Sequence, residues 1–382
     1  MDPVIIVGTG LAGYNLAKEF RKADKEQPLL LLTFDDGRNY SKPMLSTGFT
    51  KDKTADQLAM ADAETMAAQL NAEVRTGVHV SGIDTAAQTL QLDCGDSLSY
   101  SQLVLAWGAE VFRPPLEGDG VDLVYSVNDL MDYGRFRQAL SGKRKVAIVG
   151  GGLIGCEFAN DLTNGGFEVE VIEPLGRPLP TLLPERASAA VQQGLEAIGV
   201  RFRFGPYVTA VNKAGEKLAL TLSDGATTEA DIVVSAIGLR PRIKVAEAAG
   251  IEVNRGIKVD RFLRTNVKNV YALGDCSEVE GNVMLYVLPL MAGARALAKT
   301  LAGTETAVAY GPMPVAIKTP ACPVVVAPTP NGTEGEWEIE ADGLNVKALF
   351  KDTAGTLRGF ALTGEATSEK NALAKQLPPL LD

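Results

Sequence analysis

Histidine is nearly absent from this sequence, and cysteine is rare. The 382 residues contain one histidine, His79, and four cysteines, at positions 94, 156, 276 and 322. No two cysteines have the Cys-x-x-Cys spacing of a metal or redox site. We therefore expect no metal ion, and we predict that each cysteine is a small buried hydrophobic residue. The sequence also argues against a histidine acid or base, unless His79 happens to be placed for that role.

Long hydrophobic runs and an excess of positive charge are also missing. The longest apolar runs, such as Leu29–Leu32, are far too short to cross a bilayer. No basic region precedes the apolar run Val4–Val7, which predicts a cytoplasmic protein without a secretory signal. The net charge of −10 repels nucleic acid phosphates. We therefore expect neither a membrane nor a nucleic acid as a partner.

The sequence does contain a pattern that occurs twice. In the first copy, the apolar run Val4–Val7 is followed by a glycine-rich loop at residues 8–13. Apolar residues at helical spacing follow, and a second apolar run, Leu29–Leu32, ends just before Asp35 and Asp36. Such fully apolar runs are typical of buried parallel strands. The pattern predicts a strand, a helix and a second strand, arranged as in a dinucleotide-binding unit.

The second copy begins at Lys145–Val149. Its glycine loop occupies residues 150–155, and its second strand is predicted at residues 169–172, directly before Glu173. In such loops the first glycine permits the turn, the second lets the backbone approach a pyrophosphate, and the third lets helix and strand pack closely. The predicted binding residues are Gly8, Gly10, Leu11, Ala12 and Gly13 in the first loop and Gly150, Gly152, Leu153, Ile154 and Gly155 in the second.

The acids after each second strand indicate the kind of dinucleotide. A carboxylate there accepts hydrogen bonds from ribose hydroxyls and repels a 2′-phosphate. Glu173 therefore favours NADH over NADPH, although Arg177 lies close in sequence. At the first site we choose Asp35 over Asp36, and we expect one of the two to be an exposed turn acid.

Residues 265–275 resemble the second FAD signature of the pyridine-nucleotide-disulfide oxidoreductase superfamily. In that signature a strand delivers Gly-Asp to the flavin's ribityl chain, and Gly274 and Asp275 match these positions. Two further segments resemble the crossings between the domains of this superfamily. The residues predicted at the crossings are Ala106, Trp107 and Gly108 in the first and Gly238 in the second. The resemblance implies non-covalent FAD at the first unit and NADH at the second.

The resemblance also implies the fold class and the domain boundaries. It implies an α/β protein with two Rossmann-like domains, of which the NADH domain is inserted into the FAD domain, and a small C-terminal α+β domain. The expected boundaries are 1–109 and 238–307 for FAD, 110–237 for NADH, and 308–382 for the C-terminal domain. Alternating residues within 337–340, 346–350 and 357–362 predict a small antiparallel sheet, and a closing helix is predicted near residues 368–376. Because the C-terminal domain is short, we expect a monomer.

The stretch at residues 40–47 contains no cysteine. Disulfide reductases of this superfamily carry a cysteine pair there, and its NADH oxidases carry a single cysteine. The superfamily members without either are reductases of small iron proteins. Residues 40–46 and 318–326 are most similar to rubredoxin–NAD reductases of alkane-oxidising systems, which implies that electrons pass from NADH through FAD, one at a time, to rubredoxin. Two alternatives remain open: an NADH-dependent ferredoxin reductase of an oxygenase system, and a redox sensor that binds flavin and NADH.

The resemblance supplies the remaining candidate residues. Lys42 and Pro43 are expected beside the flavin, where a positive charge favours the reduced form, although Lys42 also suits a surface turn. Glu157 matches a residue that meets the nicotinamide carboxamide, or it is simply an acid in the first helical turn. Val80 is expected to contact the adenine through its backbone. Trp107 lies near the flavin ring or packs the crossing. Around the flavin edge we expect an apolar docking surface with a few basic residues at its rim.

Overall fold

Two parallel sheets, one for each repeated unit, form the centre of this computed structural model, which describes residues 2–330 and 332–381. The first sheet has five strands, in the spatial order Val270–Ala272, Gln102–Leu105, Val4–Val7, Leu29–Leu32 and Glu73–Arg75. Every residue of the central strand Val4–Val7 is buried. Because elements cover both faces of the sheet, its strands are apolar runs rather than alternating patterns.

The second sheet repeats this arrangement around the second glycine loop. Its five parallel strands have the order Val124–Tyr125, Ile232–Ser235, Lys145–Val149, Glu168–Glu173 and Arg201–Phe204. In both units the predicted helix follows the loop, as Leu11–Ala23 in the first and Leu153–Asn164 in the second. We call these the first and second nucleotide helices.

The chain passes between the two sheets twice, and the two passages lie side by side. Ala109–Val111 pairs antiparallel with Leu239–Pro241. Gly108 and Gly238 precede these strands with φ angles of +72° and +115°, which L side chains rarely adopt. Both passages were located from the sequence by their resemblance to domain crossings.

The remaining elements are small antiparallel or two-stranded sheets, helices and 3₁₀ segments. Two three-stranded antiparallel sheets contain Val80–Asp84, Thr89–Leu92 and Ser97–Ser99, and Val208–Ala214, Lys217–Leu222 and Thr227–Ala230. Two-stranded sheets pair Asn39–Tyr40 with Ala59–Ala61, and Ile257–Val259 with Ser277–Val279.

The other α-helices outside the C-terminal part are Ala55–Leu58, Ala63–Leu70, Leu130–Ala139, Glu185–Ala197, Lys244–Ala248 and Val287–Leu301. 3₁₀ segments occur at Lys42–Thr47, which is kinked at Ser46, and at Val121–Leu123 and Gly274–Cys276. No helix within the described ranges is long and apolar enough to span a membrane.

The C-terminal part contains a larger sheet than the sequence predicted. Its antiparallel strands are Val315–Ile317, Val324–Ala327, Leu357–Thr363, Asn345–Asp352 and Gly335–Asp342, in spatial order. The first two escaped prediction because this region is rich in proline; yet Pro323 and Pro328 bracket a strand without interrupting it. The helix expected at residues 368–376 is shorter, because a 3₁₀ turn, Gly364–Glu369, comes first and the α-helix spans only Lys370–Ala374.

The third glycine of each loop touches the first. A Cβ atom on Gly13 would lie 1.8 Å from the carbonyl oxygen of Gly8, and one on Gly155 would lie 1.9 Å from that of Gly150. A Cβ on the second glycine, Gly10, would meet nothing within 4 Å. Each loop is therefore closed by contact between backbones, while space stays open above its second glycine.

We predict that Gly13→Ala lowers the free energy of unfolding by about 1–3 kcal/mol, the usual cost of overpacking a dense contact. The backbone of Gly8 would have to move, and the first loop would open with it. Urea unfolding of the complete protein measures the change. Gly311→Ala is the matched control, because a Cβ there meets nothing within 4 Å. Equal stability of the two variants would contradict the prediction.

Candidate functional site

Both nucleotide helices begin at a glycine without any side-chain cap. Gly10 precedes the first helix and Gly152 the second, and neither supplies a hydrogen bond to the helix start. The first backbone N–H groups of a helix carry partial positive charge and need an acceptor. The predicted residues Leu11, Ala12, Leu153 and Ile154 form these first turns. Both ends can thus hold a pyrophosphate, since the bare second glycine leaves room for it.

The predicted acids lie beside their glycine loops. Asp35 Oδ1 accepts hydrogen bonds from Thr33 Oγ1 at 2.6 Å, from the Gly37 N–H at 3.0 Å and from Thr9 Oγ1 at 3.3 Å. Asp36 pairs instead with Arg38 at the surface, at 2.7 Å. It is the exposed turn acid that the sequence led us to expect.

Glu173 is more deeply buried and binds its own loop more tightly. One carboxylate oxygen accepts from the Gly151 N–H at 2.7 Å, and the other accepts from the Leu175 N–H at 2.8 Å. The carboxylate thus fixes the backbone of the second loop in addition to any contact with a ribose. Arg177 is directed to the carbonyl oxygen of Pro180, at 3.4 Å, and forms no ion pair with Glu173 within the described residues.

Lys42 and Asp275 meet although they are far apart in sequence. The Lys42 ammonium lies 3.7 Å from the Asp275 carboxylate and donates a hydrogen bond to Asn128 Oδ1 at 2.8 Å. The Asn128 amide donates in turn to the Ala109 carbonyl at 3.0 Å. Lys42 and Pro43 are the first two residues of the 3₁₀ segment Lys42–Thr47. Asn128 was not identified from the sequence, because an isolated asparagine in a loop carries no recognisable signal.

Glu157 joins three parts of the chain. It is only 1% exposed, and its carboxylate accepts from Ser46 Oγ at 2.6 Å, from the Lys318 backbone N–H at 2.9 Å and from Lys318 Nζ at 2.5 Å. The placement in the first helical turn was wrong, because the helix starts at Leu153 and Glu157 lies one turn further on. Its charge is paired with Lys318 rather than with the helix end. Ser46 and Lys318 both occur in the segments that resembled rubredoxin–NAD reductases, but neither had been assigned a contact.

Two further predicted site residues are Trp107 and Val80. Trp107 donates its indole N–H to the Arg242 carbonyl at 2.9 Å, so it packs the crossing. Val80 starts a strand next to His79, the one histidine. His79 is exposed and stacks on Phe34, with ring centroids 5.7 Å apart.

The cysteines differ in burial. Cys156, Cys276 and Cys322 are buried, and burial raises the pKa of the Cys156 and Cys276 thiols to about 12. Cys94 is exposed, so the prediction that all four are buried was wrong; Cys94 lies in the turn between Thr89–Leu92 and Ser97–Ser99. Among residues 2–330 and 332–381, no group of three His, Cys, Asp or Glu side chains could hold a metal ion.

Two family models match most of the chain. The model described as pyridine nucleotide-disulphide oxidoreductase matches residues 2–296, and the model described as rubredoxin binding C-terminal domain matches residues 307–377. The chain belongs to the pyridine nucleotide-disulphide oxidoreductase family. It is 62% identical over 382 residues to the rubredoxin-NAD(+) reductase of Alcanivorax borkumensis, with 100% of both chains covered. It is 44% identical over 391 residues to the rubredoxin-NAD(+) reductase of Acinetobacter baylyi, covering 100% of this chain and 99% of that one.

A solved structure agrees with the family assignment. The ferredoxin reductase for the CYP199A2 system from Rhodopseudomonas palustris superposes with a TM-score of 0.87 at 25% identity, over 99% of this chain and 96% of that one. The resemblance inferred from the sequence motifs and the α/β fold class are therefore confirmed. Membership in this family makes the protein an oxidoreductase with FAD and a pyridine nucleotide as cofactors. Both helices start at a glycine without a side-chain cap, and these two helix starts fit two dinucleotides.

We predict that only one thiol of this family member reacts in the folded state. At pH 8, Cys94 should be labelled by dithionitrobenzoate, whereas the buried thiols stay protonated and inaccessible because the thiolate is the reactive form. Alkylation of Cys94 should leave NADH oxidation by ferricyanide unchanged. The unfolded protein, which exposes all four thiols, is the control. Loss of activity on labelling would show that a thiol takes part.

Proposed function

We propose that the protein is an NADH-dependent flavoprotein reductase that passes electrons through FAD to rubredoxin. The observation that carries this proposal is the match of residues 307–377 to a rubredoxin binding domain, next to a complete two-dinucleotide unit. The absence of cysteine from residues 40–47 supports it, because no protein thiol is available there as the next electron carrier. A cytoplasmic location, a monomeric state and the domain boundaries given above belong to the same proposal.

The two dinucleotides are assigned to the two units. FAD is assigned to the first loop with Asp35, Lys42, Pro43, Val80, Ala106, Trp107, Gly108, Gly238, Gly274 and Asp275. NADH is assigned to the second loop with Glu157 and Glu173. The contact between Lys42 and Asp275 supports the first assignment, because it brings together two residues that the family resemblance put beside the flavin.

FAD, when bound, supplies the chemistry by accepting a hydride and releasing single electrons. The contribution of the chain is orientation and charge. Asn128 holds the Lys42 ammonium beside Asp275, so a positive charge stays next to the carboxylate assigned to the ribityl chain. Glu157 holds Lys318 in the same way at the second unit. The Lys42 ammonium favours added negative charge near it, whereas the charge of Lys318 is balanced by Glu157.

Rubredoxin is expected to dock on an apolar surface. The protein has a net charge of −10, so an acidic partner is repelled at long range, and contact has to rely on apolar area. Val287 and Leu288, at the start of helix Val287–Leu301, are exposed large hydrophobic residues. This helix is the next one along the chain after the 3₁₀ turn that contains Asp275, with the strand Ser277–Val279 between them. We include both residues in the expected docking surface.

Anaerobic mixing with NADH, then with oxidised rubredoxin or a two-iron ferredoxin, tests the proposed function. Flavin bleaching followed by faster oxidation by rubredoxin supports it. Transfer to ferredoxin alone would favour the second candidate, a ferredoxin reductase, which the 25%-identical ferredoxin reductase structure supports. Transfer to neither would contradict both and favour a redox sensor.

We predict that Lys42→Met lowers the two-electron reduction potential of the flavin by about 30 mV, equivalent to about 1.4 kcal/mol. Removing the positive charge makes added electrons less favourable. Spectroelectrochemical titration measures the potential. Lys51→Met is the matched control, because Lys51 is exposed and belongs to neither assigned site. Equal reduction potentials in the two variants would show that the charge of Lys42 does not affect the flavin.

We predict that Glu173→Gln narrows the preference for NADH over NADPH about tenfold, or about 1.4 kcal/mol. A neutral side chain no longer repels a 2′-phosphate. The ratio of kcat/KM values for the two donors, with ferricyanide as acceptor, gives the result. Glu168→Gln is the control, since Glu168 lies at the far, exposed end of the same strand. An unchanged ratio would contradict the assigned role of Glu173.

A further inference from the structure

The second nucleotide helix has three buried polar acceptors on one face. Glu157, Asn160 and Asp161 are 1%, 1% and 3% exposed. Their spacing of three and four residues puts them on neighbouring turns of the same side. Burial of such groups is costly unless each finds a hydrogen-bond donor. The groups that donate these hydrogen bonds therefore show which segments of the chain this face of the helix binds.

All three acceptors take backbone N–H groups from other parts of the chain. Asp161 accepts from Phe49 at 3.0 Å and from Thr50 at 2.8 Å, both near the first unit. Asn160 Oδ1 accepts from the Ala321 N–H at 3.0 Å. Glu157 accepts from the Lys318 N–H, as described above. One helix thus binds the segment after the first unit and a loop of the C-terminal part, which we call the 318–322 loop.

A second helix also packs closely against the 318–322 loop. Gly194 lies in helix Glu185–Ala197, and a Cβ atom there would lie 2.6 Å from Cys322 Cβ and 2.8 Å from the Ala321 carbonyl oxygen. The loop is also braced internally. Thr319 Oγ1 donates to the Cys322 carbonyl at 2.7 Å, and the Cys322 N–H donates to the Thr319 carbonyl at 2.9 Å. The 318–322 loop is therefore held in one position by two helices of the second unit.

We propose that Asn160 and Gly194 are positioning residues for the electron acceptor. They fix the 318–322 loop, and with it the C-terminal sheet, relative to the helix assigned to NADH. The inference rests on the proposed function, because it assumes that rubredoxin binds residues 307–377. Electron-transfer interfaces are small. We therefore expect a slight displacement of this domain to weaken the binding of rubredoxin strongly. A small soluble acceptor such as ferricyanide does not have to dock on this domain.

The test compares two acceptors in the complete flavoprotein. Asn160→Ala removes the acceptor of the Ala321 N–H. Gly194→Ala adds a methyl group that displaces the 318–322 loop from helix Glu185–Ala197. In both variants, kcat/KM for rubredoxin should fall about tenfold, or about 1.4 kcal/mol. NADH oxidation by ferricyanide should stay within about twofold, which is less than about 0.5 kcal/mol. Hydrogen exchange of the peptide covering residues 315–327 should become faster.

Two control variants separate positioning from general damage. Ser188→Ala, in the same helix as Gly194, removes a buried hydrogen bond to the Pro178 carbonyl, which lies outside the 318–322 loop. Gly134→Ala adds a methyl group to a helix where the nearest atom, Ala55 Cβ, is at an ordinary 3.4 Å. Both controls should keep both activities and the exchange rate of the loop.

The outcomes distinguish the two proposals. If the wild-type protein reduces ferricyanide but not rubredoxin, the proposed function fails, and this inference fails with it. If the wild type reduces rubredoxin but Asn160→Ala and Gly194→Ala leave that rate unchanged, the inference alone is overturned. It is also overturned if both variants lose both activities in proportion, because the residues would then support only the fold.

Discussion

The burial of one carboxylate, that of Glu157, is the constraint on which the arrangement of this protein depends. A buried carboxylate is tolerated only with a charge partner and hydrogen-bond donors. Here those groups come from Ser46 and Lys318, which lie 111 and 161 residues away in sequence. The requirement to satisfy one charge therefore brings the first unit, the second nucleotide helix and the C-terminal part together. Asn160 and Asp161 extend this polar joint along the same helix.

Contact between backbones plays the equivalent role inside each unit. The helix and strand of each unit touch through two glycines, Gly8 with Gly13 and Gly150 with Gly155. The second glycine, Gly10 or Gly152, carries no capping side chain, so the N–H groups of the helix start remain available to an anion. Asp35 and Glu173, which follow the neighbouring strands, then accept hydrogen bonds from their glycine loops, Asp35 from Thr9 Oγ1 and Glu173 from the Gly151 N–H. Packing and binding thus use the same few positions.

The charge of the molecule shapes how it meets a partner. A net charge of −10 disfavours an acidic protein at a distance, yet two cations are held at the proposed site, each by a specific partner. Asn128 holds Lys42 and Glu157 holds Lys318. The charge of Lys318 is balanced by Glu157, and that of Lys42 lies 3.7 Å from the Asp275 carboxylate, so both cations are ion-paired. A partner would then be recognised by short-range apolar packing rather than by electrostatic steering.

The sequence by itself determined both dinucleotide units, because strand, glycine loop and helix follow one another within about 30 residues and leave a local signature. It also predicted site roles for Lys42, Glu157, Glu173 and Asp275, which stay predictions. Tertiary structure alone decided what these residues contact. Lys318, Asn128 and Ser46 have no local signature, since each acquires its role only when distant segments meet. The strands Val315–Ile317 and Val324–Ala327 were missed for a related reason: partner strands stabilise them despite the prolines around them.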